Sequence, residues 1–347
     1  MSSTAAARPL ISDWLAARDG DAGLEALERA HALFFSKHAP EDTPGAAPLV
    51  LLCYHGVRSP RDLPMINECR GLIVRAGDWA PVCWGMPRFI NDTHGDRAPE
   101  ALAPPLRVEE KVDGTLIHLF RHAGRWRAAT RHTFCARDRL YLELVLEASG
   151  RDSLDALAEA AALDPAVTWC LEICSARNRV IRRYDRPTLY LLAGYHTRAR
   201  TPVEDETLDA IAARSGGALA RPARWPGITG PEQARALLEQ ISRDDPLFEG
   251  LVIKDARGQR LKLKSERYLL IHRLKYRGWA RLTPRLLAPM ILRGEDRALL
   301  TALDGLRDDT GEFWRRRAVW AARVDAELAA LGALWDQLPR DDRRAAA

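Results

Sequence analysis

Two lysine-bearing segments hold the residue types and spacings from which covalent chemistry is built. In EEKVDGTLIHLF, residues 109–120, Lys111 stands two residues before the pair Asp113-Gly114, at the mouth of an apolar alternating run. Lysine is normally kept at the solvated surface, yet Leu116, Leu119 and Phe120 mark this segment as entering a core. Lys111 is therefore either a guard at a strand edge or a nucleophile. An amine is a poor nucleophile while protonated, so the second reading needs burial or neighbouring cations to lower its pKa. The segment RLKLKS, residues 260–265, supplies cations. Side chains alternate along a strand, so Leu261 and Leu263 face the core while Lys262 and Lys264 share the other face. Two cations on one face suit a phosphate group and stabilise charge on a transferring group.

Further charged residues stand in similarly apolar settings. Glu249 opens EGLVIK, and the turn-like DARGQ after it folds that strand back on RLKLKS as a hairpin. A slip of one residue in that pairing would turn Glu249 to the wrong side. Glu172, in TWCLEIC, is flanked by apolar residues and cysteines, so burial would oblige it to find a partner. Arg70 and Gly71 stand in ECRGLIVR and Arg88 in PRFIN; a guanidinium offers phosphate a planar fork of donors. Gly114 is expected to let the backbone turn tightly beside the lysine. Asp113 would orient either Lys111 or a metal-bound water, and the residues leave both roles open. His118 and His122 have the spacing of helical metal ligands, but their segment reads as a strand, which argues against that use.

The scaffold that positions these residues is legible in outline. The 347 residues suffice for one large domain and a smaller one. DAGLEALERAHALFF reads as a helix, after which short β-type runs dominate from about residue 49 to 264: LVLLCYH, RGLIVR, GTLIHLF, TWCLEIC, LYLLAGY, EGLVIK and RLKLKS. Helical patterns interrupt them at SLDALAEAAAL, ETLDAIAARSGG and PEQARALLEQIS. This mixture, without strict βαβ order, predicts an α+β fold with antiparallel sheets. Beyond about residue 277 the pattern turns helical, in RALLTALDGL and in GEFWRRRAVWAARVDAELAALGALWDQL, where Val324, Leu328, Leu331 and Trp335 fall on one face. The expected division is residues 1–276 for the chemistry and 277–347 for an all-α C-terminal domain.

The ordered series ECRGLIVR, PRFIN, EEKVDG, WCLEICSARNRVI, FEGLVIK and RLKLKS resembles the covalent nucleotidyltransferase superfamily, most closely its phage-type RNA ligase 1 family. The resemblance covers roughly residues 50 to 275. It implies the nucleotidyltransferase fold and an ATP-dependent RNA ligase joining 5′-phosphate to 3′-hydroxyl RNA ends through a lysyl-AMP intermediate and an adenylylated RNA. On that resemblance Lys111 is the nucleophile. Arg70 and Gly71 with Arg88, Lys262 and Lys264 serve the nucleotide phosphates. Glu172 reads the ribose, Glu110, Asp113 and Gly114 complete the nucleotide site, and Glu249 serves a divalent metal. The implied cofactors are ATP and magnesium, or manganese in its place.

Composition narrows the alternatives. A net charge of +5 fits a polyanionic partner without demanding one. MSSTAAARPL lacks the apolar core of a signal peptide and no run approaches membrane-spanning length, so a cytoplasmic protein with no membrane partner is expected. The six cysteines include no C-x-x-C pair and read as reduced thiols. DNA ligases and capping enzymes share the lysine motif but attach an OB domain of several strands, against which the helical C-terminus argues. An inactive RNA-binding relative is the remaining alternative, and the intact set of lysines and carboxylates argues against it. No P-loop pattern is present, so end healing by a kinase or phosphatase is expected from a separate protein.

Overall fold

The computed structural model describes residues 9–18, 20–60, 62–91, 102–277 and 310–337. The chain divides into two compact units, residues 1–235 with 250–263 and residues 236–249 with 264–347.

In the first unit, helices α1 (Leu10–Ala16), α2 (Gly20–His31) and α3 (Pro64–Glu68) accompany strands β1 (Leu33–His38), β2 (Leu49–Tyr54), β3 (Arg70–Arg75) and β4 (Pro81–Cys83). The strands form one antiparallel sheet in the order β1-β2-β3-β4. LVLLCY of β2 is apolar throughout because both faces are covered. Val50, Leu52 and Tyr54 face a core with Ile11, Leu15, Leu24 and Leu27 of the helices, while Leu49, Leu51 and Cys53 face Phe120, Ala129 and Phe134. The helix expected over DAGLEALERAHALFF stops at His31. Ala32 takes a positive φ of 50°, and Leu33, Phe34 and Phe35 pair with Tyr54, Cys53 and Leu52. Strand pairing overrides helical periodicity there.

The next strands are β5 (Ile90–Asn91), β6 (Arg107–Glu110), β7 (Thr115–His122), β8 (Arg125–Ala129), β9 (Val167–Cys174) and β10 (Thr188–His196). With them come helices α4 (Arg139–Ser149), α5 (Leu154–Ala160) and α6 (Asp205–Arg214). A second antiparallel sheet runs β10-β9-β7-β8, and α4, α5 and α6 cover one face around Ile117, Leu119, Trp169, Leu171 and Ile173. Ser153 caps α5 by accepting from the Ala156 N–H, and Gly150 closes α4 in the left-handed region. A third sheet orders β11 (Arg224–Trp225), β6, β12 (Gly250–Lys254), β13 (Arg260–Lys264) and β5. β11 and β12 flank β6 antiparallel, and β13 pairs parallel with β5 through Leu261 with Ile90 and Lys262 with Asn91. The expected α+β architecture with antiparallel sheets is the observed one.

Helix α7 (Pro231–Asp244) passes from the first unit into the second, which also holds α8 (Glu266–Arg277) and the long α9 (Thr310–Gln337). Arg267 donates to the Ser242 carbonyl at 2.8 Å, and Tyr268 is buried. Leu328, Leu331 and Trp335 of the expected stripe are exposed on α9. The predicted helix at RALLTALDGL lies outside the described residues.

The middle of β6 is tied down by charge instead of apolar packing. Glu109 is buried, and its carboxylate meets Lys254 at 2.6 Å, Arg224 at 3.1 Å and Arg221 at 3.3 Å. Lys254 also reaches Asp205 at 3.0 Å, and Arg221 bridges Asp205 and Asp209 at 2.9 Å each. Burial lowers the Lys254 pKa, with Arg260 adding to the effect, while Glu109 and Asp205 oppose it. Removing one member leaves an uncompensated buried charge, which costs about 3–5 kcal/mol. Glu109→Ala is therefore expected to lower the urea midpoint far more than Arg125→Ala at an exposed ion pair. Equal small shifts in the two variants would show that the network contributes nothing beyond a surface pair.

Candidate active site

Lys111 follows the last residue of β6 and is held through the backbone from both sides. The Glu110 N–H donates to the Ala223 carbonyl and the Lys111 N–H to the Gly250 carbonyl, both at 2.8 Å. The lysine is half-buried, while Val112 and Asp113 after it are buried. The nucleophile candidate therefore stands where the backbone is hydrogen-bonded on both sides.

A second set of bonds staples this segment to the loop after β9. One Asp113 carboxylate oxygen accepts from the Ile181 N–H at 2.9 Å and the Arg182 N–H at 2.7 Å. The Arg182 guanidinium donates to Glu110 at 2.7 Å, and the Asp113 N–H donates to the Tyr184 hydroxyl at 3.2 Å. The loop is itself braced by Asn178, whose amide nitrogen donates to the Ile173 carbonyl at 2.8 Å and whose oxygen accepts from the Ser175 N–H at 2.8 Å. Asp113 thus has a role that sequence reasoning did not foresee: its carboxylate satisfies two backbone donors across the site. Asn178, Arg182 and Tyr184 were missed as well; Asn178 stands inside the motif SARNRVI, which was its available signal, whereas Arg182 and Tyr184 lie just beyond it.

Gly114 is required, for a different reason from the one expected. A Cβ there would lie 2.4 Å from the Ile173 carbonyl oxygen, 2.7 Å from Cys174 Sγ and 3.1 Å from Glu172 Cγ. Close approach of β9, not a tight turn, excludes a side chain. The same approach brings Glu172 beside the lysine segment. Its charge, with those of Asp113 and Glu110, adds to burial in raising the Cys174 pKa.

Arg70 opens β3 and is half-buried, with desolvation lowering its pKa and the Glu172 charge among those opposing this. One guanidinium nitrogen donates to the Met86 carbonyl at 2.9 Å. The Met86 N–H in turn donates to His118 Nε2 at 3.1 Å. His118 is fully buried, and its pKa falls to about 3, first through burial and then through Arg70. A neutral ring is what this arrangement needs, because Nε2 accepts and a protonated imidazole would face Arg70. Gly71 has φ +78°, and a Cβ there would lie 3.1 Å from both Arg131 Cα and His118 Cε1. His118 acts on Arg70 through Met86, and among the described residues no group of three or more His, Cys, Asp or Glu is placed to hold a metal ion.

On β13, half-buried Arg260, Lys262 and Lys264 alternate with buried Leu261 and Leu263, as the sequence pattern predicts. Arg260 was missed, although the same alternation extends to it. It stands 5.4 Å from the Phe89 ring and shares with Arg88, Tyr195 and Lys254 the lining of a cleft of about 1130 Å³. Lys111 is not part of that lining. Arg88 is thus grouped with Arg260. In the second unit, buried Glu249 accepts from Lys264 at 2.7 Å, and its carbonyl accepts from the Ser265 N–H at 2.9 Å.

A family model described as RNA ligase matches residues 68–270, over half of the chain and every motif from Arg70 to Lys264. The chain belongs to this phage-type RNA ligase family. A protein named as a bifunctional polynucleotide kinase/RNA ligase, from Autographa californica nuclear polyhedrosis virus, is 28% identical over 266 residues. The alignment covers 71% of this chain and 36% of that protein, so the chain spans about a third of the relative's length. Among solved structures, an archaeal ATP-dependent RNA ligase in form 1 superposes with a TM-score of 0.51 at 19% identity, covering 87% of this chain and 75% of that one. Form 2 gives 0.51 at 15% identity, covering 91% and 80%. These two likenesses establish the fold of this family member as that of the nucleotidyltransferase ligases.

Two outcomes are expected. Gly114→Ala should lower thermal stability clearly, because the obstacle is backbone of β9; a melting temperature equal to that of the parent would show that the strand can move aside. His118 is neutral when folded, with a pKa of about 3 against 6.5 for an unperturbed histidine. Its contribution is therefore complete above pH 6.5 and is lost progressively as pH falls toward about 3. Urea midpoints followed through that window should fall less steeply in His118→Gln, and identical slopes would exclude His118 as the titrating group.

Proposed function

We propose that this protein is an ATP-dependent RNA ligase that joins a 5′-phosphate to a 3′-hydroxyl RNA end. The supporting observation is the family match, which spans the series from Arg70 to Lys264, together with the anchored placement of Lys111. The Lys111 amine attacks the α-phosphate of ATP, pyrophosphate leaves, and AMP is held by a phosphoramidate bond. AMP then passes to the RNA 5′-phosphate, and the 3′-hydroxyl attacks that activated end and displaces AMP. Arg70, Lys262 and Lys264 bind phosphate oxygens and take up developing charge, and Arg88 adds a further phosphate contact. Glu172 binds the ribose, and Glu110, Asp113 and Gly114 shape the segment that bears the nucleophile.

Magnesium usually takes one or two protein carboxylates plus substrate phosphates, so a single buried carboxylate at Glu249 fits its donor requirements. Magnesium, or manganese in its place, would be held by Glu249 with the ATP phosphates and would offset the charge brought together. Residues 1–276 carry the adenylylation chemistry and residues 277–347 assist on RNA. The activity belongs to RNA repair in the cytoplasm, with end healing by a kinase or phosphatase supplied outside these residues. No helix among the described residues is long and apolar enough to cross a membrane.

Incubation with labelled ATP and magnesium, followed by denaturing electrophoresis, should show a covalent adduct in the parent protein. Lys111→Ala should abolish it, and Lys111→Arg equally, because arginine keeps its proton and cannot act as a nucleophile. An adduct surviving in either variant would overturn the assignment. Sealing assays with matched RNA and DNA strands then distinguish the RNA reading from a DNA ligase.

A further inference from the structure

A cleft of about 600 Å³ opens between Glu28, Arg29 and Phe34 at the α2–β1 corner, the turn after β2, and the segment after β8. It adjoins the Arg70-Gly71 pair. Cys53 pairs with Arg70 across the sheet, the Tyr54 N–H donates to the Cys69 carbonyl at 2.7 Å, and the Arg131 backbone packs on Gly71. The Arg131 charge adds to burial in lowering the Arg70 pKa.

The cleft is built, not incidental. Arg131 donates to His132 Nε2 from two guanidinium nitrogens, at 3.2 and 3.0 Å, and stands 5.6 Å from the Tyr54 ring. Burial, then Arg131 and Arg70, lowers the His132 pKa, which keeps that ring an acceptor. His55 Nδ1 accepts from the Val57 and Arg58 N–H groups at 3.2 and 3.1 Å, which leaves Nε2 as the ring's donor. Ser59 accepts from the His55 N–H at 2.8 Å and donates to the Ala32 carbonyl at 3.1 Å, pinning the turn that presents Arg58. Neither Arg58 nor Arg131 forms an ion pair with another described residue. Arg29, Arg58 and Arg131 face a single lining carboxylate, Glu28, and Phe34 offers an exposed ring.

We propose that this cleft docks the 5′-phosphate end of the RNA strand that receives AMP. The inference rests on the RNA ligase reading and goes beyond it by assigning a binding site to one of the two RNA ends. A terminal phosphate carries roughly two negative charges and three acceptor oxygens, which match two guanidiniums without carboxylate partners. An internal phosphodiester carries only one charge. Phe34 provides a stacking face for a base, and such stacking is tolerant of sequence. The step served is balanced: an oxygen of the RNA phosphate bonds to the AMP phosphorus as the phosphorus–nitrogen bond breaks. The electron pair stays on Lys111 Nζ, which takes up a proton.

The test uses the full chain, Arg58→Glu, Arg58→Lys, and short single-stranded RNA bearing a 5′-phosphate or a 5′-hydroxyl. In single-turnover assays, the ratio of AMP transfer to self-adenylylation should fall about tenfold or more in Arg58→Glu and recover in part in Arg58→Lys, because charge-assisted phosphate contacts are strong. In fluorescence polarisation, the parent should bind the 5′-phosphate strand more tightly than the 5′-hydroxyl strand, and Arg58→Glu should erase the difference. An equal loss for both strands would make the cleft a general nucleic-acid surface and overturn the proposal. Lysyl-AMP formation with an unaltered transfer ratio overturns this inference alone. Absence of lysyl-AMP in the parent protein overturns the ligase reading, and this one with it.

Discussion

The burial of Glu109 against Lys254, Arg221 and Arg224 is the constraint on which the rest of the site depends. It fixes the middle of the strand whose next two residues are Glu110 and Lys111. A four-residue strand with one buried acidic side chain has little apolar surface to hold it, and here opposite charge supplies the hold. The arrangement resists change because each partner is shared. Lys254 also serves Asp205, and Arg221 and Arg224 also serve Asp209. Loss of one member therefore strands several charges in a medium that solvates them poorly.

The division of labour among charged residues follows from this. Neighbouring glutamates in EEKVDG do opposite things: Glu109 points into the network, while Glu110 meets Arg182 of the loop after β9. The two lysines flanking the turn in the third sheet differ as well. Lys254 is buried in structural pairing, whereas Lys262 stands on the half-buried face with Arg260. Asp113 anchors backbone, tying the loop that bears Arg182 and Tyr184 to the segment that bears the nucleophile. His118 works at one remove, through Met86, to hold the guanidinium of Arg70.

How much of this the sequence shows depends on what holds each element. Strands β2, β3, β9 and β12 are buried on both faces, and their runs of valine, leucine and isoleucine make them legible. RVEE of β6 has no such signature, because charge pairing replaces apolar burial. β1 reads as the end of a helix until its partner β2 is known. The lysines, glutamates and arginines of the site are visible as types and in order, and the family motifs single them out. The reasons for Gly114, Asp113 and His118 are not, since each depends on a close approach by a distant segment. A Cβ colliding with β9, a carboxylate meeting two N–H groups and a ring facing Arg70 all arise only once the chain is folded.

All six cysteines are buried, in cores or against the site segment. Burial raises their pKa values, to about 12 for Cys135 and Cys170, so thiolate is scarce at neutral pH and access is closed. The folded protein is accordingly a quiet background toward thiol-selective reagents. A cysteine introduced at an exposed position would be the handle that reacts, and a probe attached there would report on the motions of its own segment. Modification of the native thiols would need the core to open first, which turns their reactivity into a clock for unfolding.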